Sequence, residues 1–511
     1  MTDMDVESLP DDAAQLKSMM KQLIREHQLD KEHLEHRLAM LLRSKYGPRS
    51  EKLDPDQLKL FDLGREDVDE TGDEPAEEDD KPRPPRRGHG RRRLPTDLPR
   101  TRVEHELPEG DQQCPCCGKT RKRIGWETSE QVEYEPAKLY VIEHARAKYA
   151  CGDCEENVVT TPKPAQPIDK GLAAPGLLAA IAVGKYGDHL PLYRMEEILG
   201  RSGLSVSRST QCDWMRRIAE LVDPVVSRMK SEILASRVIW TDDTTVPVLD
   251  PTQSKTKTGR MWVYIGDLRH RYAVFDYTPD RKGARPREFL GEYSGYLQAD
   301  AYSGYDQLCD HGNMTEVACW AHARRKFHEA KDSARVGATH ALNLIGQLYG
   351  LERKASKLDA AARRQLRQKH AVGKLEAFAS WLDQQSVEIL PKSPLGKAIN
   401  YARNQWTALC RYTEDGELSI DNNLSERTIR CVAIGRKNWM FAGSDRGGQT
   451  AATLMSLIAT CKLLGVDPYR YLRVLLTELP RRQTDHLEEF LPDRWLQAHP
   501  EAKLTDHGKQ K

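Results

Sequence analysis

The sequence predicts a multidomain α/β protein, and three observations support this prediction. The chain has 511 residues, which is more than a single hydrophobic core usually organises. Runs rich in Val, Ile, Trp and Tyr follow one another between residues 237 and 320, as the strands of one sheet do. Helical segments lie before and after this block, and two Cys-x-x-Cys pairs lie upstream of it. We therefore expect an α/β core preceded by smaller domains.

Composition bounds the class of protein but decides little about its partners. Lys and Arg number 78 against 77 Asp and Glu, so a nucleic-acid surface must be sought in local patches. No stretch of 18 apolar residues occurs, and the N-terminus lacks the features of a signal peptide. The eleven cysteines do not have the spacing of a disulfide framework. We expect a soluble cytoplasmic protein without a membrane partner.

Residues 1–64 are predicted to form an N-terminal helical segment. Its apolar positions are spaced by four and then three residues in each half, as in a coiled-coil seam. These positions are Leu16, Met20 and Leu23, then Leu34, Leu38 and Leu41. His27 and Asp30 interrupt the seam, so two interpretations stay open. The segment either pairs with another helix and drives homo-oligomerisation, or packs locally.

Residues 65–102 are predicted to be a disordered linker. The stretch 65–80 holds ten acidic residues and one basic residue, whereas 81–102 holds nine basic residues and one acid. Such blocks of like charge cannot bury a core. The arginines of the basic block are candidate DNA contacts, although a solvated linker explains them equally well: Arg86, Arg87, Arg91, Arg92 and Arg93.

Residues 103–165 are predicted to form a zinc-binding module. Cys114 and Cys117 make one Cys-x-x-Cys pair, and Cys151 and Cys154 make another, with 33 residues between the pairs. Four thiolates suit tetrahedral Zn²⁺ and leave no open position for catalysis, so we expect one structural zinc ion. Cys116 lies inside the first pair and is interpreted as a bystander.

Residues 166–235 are predicted to be a helical, helix-turn-helix-like DNA-binding region. A helical stretch at 192–199 is followed by a turn at 200–203 and a second helix from Ser207, which Ser205 or Ser207 could cap. Candidate DNA contacts on the second helix are Arg208, Gln211 and Arg216. Helical pairs joined by glycine turns are common, so an ordinary packing role stays open.

Five β-rich runs are predicted to be the strands of the core. They span residues 237–249, 261–266, 272–278, 296–299 and 316–320, and a basic helix at 321–327 follows the last. This order is typical of a ribonuclease-H-like α/β domain, in which three successive strands are followed by alternating strands and helices. An acid lies on the first strand and another on the fourth. The polar, helical stretch at about 330–415 exceeds what this domain needs. We expect it to be an all-α insertion.

Three acids in this core are candidate ligands of catalytic metal ions. They are Asp242 on the first strand, Asp300 at the end of the fourth, and Glu426 on a helix 126 positions further along. Phosphodiester cleavage uses two divalent cations about 3.5–4 Å apart, and carboxylates suit Mg²⁺. Taken singly, each acid could also cap a turn or face solvent, and Asp421 could cap a helix.

The motifs resemble those of the insertion-sequence-66 (IS66) family of transposases along almost the whole chain. Besides the four-cysteine module, the matching segments are 46–53, 60–62, 242–244, 319–327, 421–427, 438–444 and 465–469. The resemblance implies a DDE transposase with its catalytic core at 236–435, a C-terminal helical segment at 436–490 and a tail at 491–511. It also implies that Asp242, Asp300 and Glu426 are the catalytic acids.

One position departs from the family pattern. The family usually has Asp-Glu-Thr where this chain has Asp242-Asp243-Thr244, so Asp243 stays open as an alternative ligand. Because successive strand side chains face opposite sides, we expect only one of the two to point at the metals. Nearby cations are candidate phosphate contacts: Arg324, Arg325, Lys326 and Arg427.

The resemblance implies a mechanism of two-metal DNA cleavage and strand transfer that uses Mg²⁺ or Mn²⁺. The expected partners are the DNA ends of the element, target DNA, further copies of this chain, and accessory proteins encoded by the element. The protein would lie in the bacterial cytoplasm and associate with the nucleoid when DNA-bound. Two alternatives stay open: a catalytically inert DNA-binding regulator derived from a transposase, and another ribonuclease-H-like nuclease.

Overall fold

The computed structural model describes residues 164–504 except 251, 253–254, 301, 306–313 and 483. It also describes 139–145, 148–149, 159–160 and positions 12, 13, 17, 18, 20–25, 27 and 31. Each described residue from 13 to 31 is helical. The rest of the predicted segment 1–64, the predicted linker 65–102 and most of the predicted module 103–165 lie outside the described residues.

The chain divides into two compact units, Met1–Arg65 with Pro162–Leu504, and Glu66–Thr161 with Thr505–Lys511. In the second unit the described strands are β1 (Lys148–Tyr149) and β2 (Val159–Thr160), which pair antiparallel. In the part of the chain that is described, none of the helices combines the length and apolar character that crossing a bilayer requires.

The first unit contains the sheet and the helices that surround it. The strands are β3 (Val238–Val248), β4 (Lys257–Ile265), β5 (Ala273–Thr278), β6 (Gly295–Ala299) and β7 (Met314–Ala318). The helices up to the insertion are α1 (Pro175–Tyr186), α2 (Leu192–Arg201), α3 (Arg208–Leu234), α4 (Ala284–Leu290) and α5 (Trp320–Glu329). Those that follow are α6 (Arg335–Ala355), α7 (Ala360–His370), α8 (Val372–Glu388), α9 (Pro394–Asn404), α10 (Trp406–Cys410), α11 (Asn423–Trp439), α12 (Asp445–Leu464), α13 (Pro468–Glu478) and α14 (Pro492–Ala498).

The five strands form one mixed sheet in the order β5-β4-β3-β6-β7. Strands β3, β4 and β5 pair antiparallel, whereas β6 runs parallel to β3 and β7 runs parallel to β6. Residues 261–265 of β4 are all buried, because helices cover both faces of the sheet. The mixed sheet with its helices is the α/β fold predicted from the sequence, and it is consistent with a ribonuclease-H-like core.

Helix α12 covers the outer edge of β5. An edge strand leaves backbone groups that need hydrogen-bond partners. The Thr460 hydroxyl accepts from the amide of Ala273 at 2.9 Å and donates to the carbonyl of the same residue at 3.1 Å. The Ser456 hydroxyl accepts from the amide of Phe275 at 2.8 Å. Two hydroxyls of α12 therefore make hydrogen bonds to β5 that a sixth strand would otherwise make.

The sequence pattern places the second helix at 207–218, whereas helix α3 continues 16 residues further, to Leu234. Ser207 is its N-cap, and its hydroxyl accepts from the amide of Thr210 at 3.2 Å. The helix buries an apolar face and packs against α12, which in turn covers the sheet. This packing joins the predicted helix-turn-helix-like region to the core in the structure.

The segment expected to be an all-α insertion is helical from α6 to α10. Arg367 on α7 is 1% exposed and forms a double ion pair with Glu352 on α6, at 2.8 and 2.6 Å. It also donates to the backbone carbonyls of Tyr412 and Asp415, at 2.7 and 2.8 Å. One buried arginine thus ties two helices of the insertion to the chain that returns to the core.

The described part of the expected tail, up to residue 504, is folded. Helix α14 occupies its start, and Trp495 on this helix is buried. The hydroxyl of Tyr272, just before β5, donates to the carboxylate of Asp493 at 2.5 Å. The apolar positions of this short helix were too few to stand out in the sequence.

Candidate active site

Two of the three predicted acids meet because their strands are parallel neighbours. Trp240 on β3 is paired with Gln298 on β6, so Asp242 and Asp300 each lie two residues further in the same direction. One carboxylate oxygen of each acid lies within 4.8 Å of the other. The crossover through β4, β5 and α4 therefore brings together two acids that are 58 positions apart in the sequence.

The start of helix α11, which carries the third acid, is fastened to this sheet. The side-chain amide of Asn422 donates to the carbonyl of Thr241 on β3 at 2.8 Å. Its backbone amide donates to Sγ of Cys319 at 3.2 Å. The side-chain amide of Gln298 donates to the carbonyl of Asp421 at 2.8 Å. Bonds to β3, to β6 and to the junction of β7 and α5 thus place the helix start over the acids.

The other end of α11 is also bonded to β3. The guanidinium of Arg436 donates to the carbonyl of Thr245 at 2.7 Å and to the hydroxyl of Thr244 at 2.9 Å. Because the helix is held at both ends along one strand, the position of Glu426 in its first turn is fixed relative to Asp242.

Burial raises the pKa of all three acids above their usual ranges. Burial raises the pKa of Asp242 well above its usual range, and the charges of Asp300 and Glu426 raise it further. Burial also raises the pKa of Asp300, against the lowering effect of Arg281. Burial raises the pKa of Glu426 to about 7, with the charge of Asp300 acting in the same direction. Ionising all three is therefore costly until a cation compensates their charge.

The donor set at this point fits a divalent metal ion. Carboxylate oxygens are the hard ligands that Mg²⁺ and Mn²⁺ prefer. Oε1 of Glu426 and Nδ1 of His322 are buried, lie 3.5 Å apart, and make no hydrogen bond among the described residues. Burial lowers the pKa of His322 to about 4, so its ring is neutral at physiological pH. Cys319, His322 and Glu426 each offer an atom within 4.8 Å of the other two.

Asp243 has different partners from Asp242. Its carboxylate is 2% exposed and accepts from Arg260 on β4 at 2.8 Å and from Arg281 at 2.7 Å. Asp242 instead accepts from the backbone amide of Asp243 at 2.8 Å. One Asp243 oxygen still lies within 4.8 Å of the ligand oxygens of Asp242 and Asp300. Successive side chains of a strand were expected to face opposite sides. The carboxylates of Asp242 and Asp243 nevertheless lie close together, and that of Asp242 accepts a bond from the backbone of its neighbour.

The cations predicted near the acids occupy varied positions. Arg325 lies 3.8 Å from Glu426, and the ammonium of Lys326 sits 4.7 Å above the ring of Tyr401. Arg324 is half-buried, and Arg427 is exposed one residue after Glu426. Arg260 and Arg281 were missed by the sequence prediction. No local motif marks them, because their proximity depends on the pairing of β3 with β4.

The candidate DNA contacts on α3 differ in accessibility. Arg208 is exposed at the helix start. Arg216 forms ion pairs with Asp213 at 2.5 Å and with Glu220 at 3.0 Å. Gln211 is fully buried, and its side-chain amide donates to the carbonyl of Val206 at 3.1 Å. In this conformation Gln211 is a packing residue, and it cannot reach a base edge.

The remaining predicted site residues lie outside the described residues. They are the zinc ligands Cys114, Cys117, Cys151 and Cys154, and the arginines Arg86, Arg87, Arg91, Arg92 and Arg93.

Comparison with protein families gives four matches along the chain. A model described as "Transposase IS66 family" matches residues 170–450, and one described as "IS66 C-terminal element" matches 456–492. Upstream, "zinc-finger binding domain of transposase IS66" matches 111–155 and "Transposase C of IS166 homeodomain" matches 33–103. The zinc-finger match includes all four predicted zinc ligands.

Curated relatives occur in Sinorhizobium fredii (strain NBRC 101917 / NGR234). The uncharacterized protein y4jD is 34% identical over an alignment of 515 residues. The alignment covers 96% of this chain and 97% of the relative. The uncharacterized protein y4hP is 32% identical over 432 residues, covering 80% of this chain and 77% of the relative. The similarity thus extends over most of both chains.

Proposed function

The chain belongs to the IS66 family of transposases, and from this premise we propose that it cleaves DNA at the ends of its element and transfers them to target DNA. The observation that supports the proposal is that carboxylate oxygens of Asp242 and Asp300 lie within 4.8 Å of each other, and that the charge of Glu426, on a distant helix, raises the pKa of Asp242. Membership of a DDE family implies divalent metal ions, and we assign these three side chains as their ligands.

The chemistry requires two phosphoryl transfers. In the first, water attacks the phosphorus at an element end, breaking the P–O3′ bond and freeing a 3′-hydroxyl. In the second, that hydroxyl attacks a target phosphorus, forms a new P–O3′ bond and releases a 3′-hydroxyl of the target strand. Bound divalent cations would activate the attacking oxygen and stabilise the leaving oxygen. The protein forms no covalent intermediate.

The side chains of the protein hold the reacting groups. Asp242 on β3 and Asp300, directly after β6, orient the site. Glu426 has a pKa of about 7, so it loses its proton when it becomes a ligand. His322 is neutral and lies 3.5 Å from Glu426, so it adds no positive charge beside the carboxylate.

DNA recognition is assigned to the upstream segments and to the cations around the acids. A zinc-finger match over the four cysteines supports one structural Zn²⁺ held by Cys114, Cys117, Cys151 and Cys154. The basic block at 81–102 and the exposed Arg208, together with the cations beside the acids, would contact phosphates. We place this activity in the bacterial cytoplasm, where oligomers of this chain would pair two element ends.

The test is an in vitro reaction with the purified full chain, a labelled duplex carrying one end of its element, and Mg²⁺ or Mn²⁺. Wild type is compared with Asp242→Asn, Asp300→Asn and Glu426→Gln. We expect each variant to bind the duplex as wild type does and to lose cleavage by at least about 1,000-fold. Asp280→Asn is the control, since Asp280 pairs with Arg285 on the surface beside the site.

Two results would reject the proposal. If wild type binds the duplex specifically but neither metal supports cleavage, even when the accessory proteins of the element are added, the chain is an inert regulator. If cleavage survives in the three acid variants, the nuclease activity belongs to another site or to a contaminant.

A further inference from the structure

Two arginines from separate parts of the chain converge on one buried carboxylate beside the catalytic acids. Arg260 lies on β4, and Arg281 lies in the connection between β5 and α4. Both donate to Asp243, Arg260 with one bond at 2.8 Å and Arg281 with two bonds at 3.1 and 2.7 Å. The carboxylate of Asp243 is 2% exposed, whereas the arginine side chains are 22% and 37% exposed. The carboxylate of Asp243 is thus buried, and both arginine side chains are partly exposed.

Arg281 is held by further contacts. Its guanidinium lies 4.0 Å above the ring of Tyr302, and the hydroxyl of Tyr302 donates to the backbone carbonyl of Arg281. The same guanidinium is 3.8 Å from the carboxylate of Asp300, a predicted metal ligand. A stacked arginine with a fixed backbone loses little freedom when it binds a ligand.

Two carboxylates face the two guanidinium groups, because Asp243 bonds both arginines and Asp300 lies 3.8 Å from Arg281. The capacity of the cluster to bind a further anion therefore lies in its unused N–H donors. Each guanidinium has five N–H donors, and the bonds of Arg281 to Asp243 use only Nε and Nη2. Donors therefore remain for an anion that approaches from the exposed side, and phosphate oxygens match the guanidinium geometry.

We propose that Arg260 and Arg281 form a binding site for a DNA phosphate next to the one that is cleaved, and that Asp243 is the positioning residue for both. The inference rests on the proposed function, because it concerns DNA at the same site. It also gives the second aspartate of the Asp242-Asp243 pair a role other than metal ligation.

The first experiment measures DNA binding without divalent ions, so that it does not depend on cleavage. A set of duplexes carrying one element end has single phosphates replaced, one at a time, by uncharged methylphosphonates. Wild type should bind more weakly to each duplex in which a contacted phosphate has been replaced. Arg281→Ala should bind the unmodified duplex about 10-fold more weakly than wild type does. Replacing a phosphate at one or two positions near the cleavage site should not weaken binding by this variant any further.

Salt dependence gives an independent readout. Each lost phosphate contact should reduce the slope of log affinity against log salt concentration by about 0.9. Arg281→Lys should retain most of the slope, because the charge remains. Arg285→Ala is the matched control: it lies four residues further on, and it pairs with Asp280 at 3.2 Å and Glu288 at 3.3 Å. Methylphosphonates at the positions that no longer affect binding by Arg281→Ala should weaken binding by Arg285→Ala as much as they weaken binding by wild type.

The role of Asp243 is tested by metal binding. Mn²⁺ affinity, measured by electron paramagnetic resonance, should change less than about threefold in Asp243→Asn and fall at least about 10-fold in Asp242→Asn. Asp243→Asn should share the methylphosphonate pattern of Arg281→Ala. Because burying an amide there could unfold the chain, the variants Arg281→Lys and Arg281→Ala, at a partly exposed side chain, carry the test on their own.

Two results would overturn the inference. If Arg281→Ala remains sensitive to every methylphosphonate that affects wild type, Arg281 only neutralises Asp300. If Mn²⁺ affinity falls as far in Asp243→Asn as in Asp242→Asn, Asp243 is a metal ligand. Neither result depends on cleavage, so an inert but DNA-binding chain would reject the proposed function while the phosphate contact of Arg281 could still be established.

Discussion

The side-chain amide of Asn422 donates to the backbone carbonyl of Thr241 at 2.8 Å, one residue before Asp242. This bond joins the start of the helix that carries Glu426 to the strand that carries the first acid. Asn422 is fully buried, so neither group can turn to water instead. The distance between the first and third acids therefore depends on a residue that carries no charge.

Replacing Asn422 with Ala should affect catalysis more than stability. The carbonyl of Thr241 loses a donor, which we expect to lower the free energy of unfolding by about 1–3 kcal/mol. Cleavage should fall by at least about 10-fold more than the loss of folded protein explains, because a displacement of about 1 Å at Glu426 is costly. Urea unfolding and the duplex cleavage assay measure the two effects.

The control is Thr428→Ala on the same helix, whose hydroxyl donates within the helix to the carbonyl of Leu424. It should change neither quantity by much. Loss of cleavage in strict proportion to the loss of folded protein would contradict a positioning role for Asn422.

Glu426 should make the metal-free protein less stable as pH rises from about 4.5 to 7, whereas His322, whose pKa burial lowers to about 4, acts in the opposite direction below about 6.5. The pKa of Glu426 rises from an ordinary value near 4.5 to about 7 on folding, so the folded chain binds more protons than the unfolded chain in this window. The free energy of unfolding then decreases with pH, by about 1–3 kcal/mol from this residue. Asp242 and Asp300 act in the same direction.

Urea unfolding in EDTA at a series of pH values measures this slope. Glu426→Gln should remove the negative contribution of Glu426 from the slope, and millimolar Mg²⁺ should reduce that contribution in wild type by compensating the ionised acids. Identical slopes in wild type and Glu426→Gln would show that the pKa of Glu426 is not raised in solution.

The hydroxyls that cover the outer edge of β5 should each contribute to stability. Thr460→Val keeps the shape of the side chain and leaves both backbone groups of Ala273 without this partner. We expect the free energy of unfolding to fall by about 1–3 kcal/mol. Thr477→Val is the comparison, since the Thr477 hydroxyl only donates within its own helix to Arg473. Equal effects of the two substitutions in thermal unfolding would argue against the edge contacts.

Removing the buried Arg367 should loosen the helical insertion. Arg367→Met leaves Glu352 and two carbonyls without their partner, at an expected cost of about 3–5 kcal/mol. Hydrogen exchange of residues 352–415 should rise before that of the sheet. Adding Glu352→Gln should restore part of the stability, whereas Arg364→Met, at an exposed position of the same helix, should have little effect.

The strands and the acids could be predicted from the sequence for a simple reason. Buried strands require uninterrupted β-branched and aromatic residues, and the observed strand limits fall within a few residues of the predicted runs. Asp300 stood out because it ends such a run. Glu426 could be found only through its motif, since no local pattern shows that a helix more than 100 residues away will return to the sheet.

Contacts that depend on pairing could not be predicted. Arg260 reaches Asp243 only because β3 and β4 pair in one register, with Thr245 opposite Arg260. Gln211 is a different case, because the signal was present. It shares a helical face with Trp214 and Ile218, both buried, so its spacing indicated packing and not DNA contact. Polar character alone suggested the opposite.

The cover of β5 has a consequence for how the chain is made. About 180 residues of chain separate Phe275 from Ser456. At synthesis rates of about 5–20 residues per second, the strand waits roughly 10–40 s on the ribosome before its covering helix exists. During that interval its unpaired edge can join the same strand of a neighbouring nascent chain. The yield of this protein should therefore depend on ribosome spacing along its messenger RNA, and on whatever shields that edge until the C-terminal helix arrives.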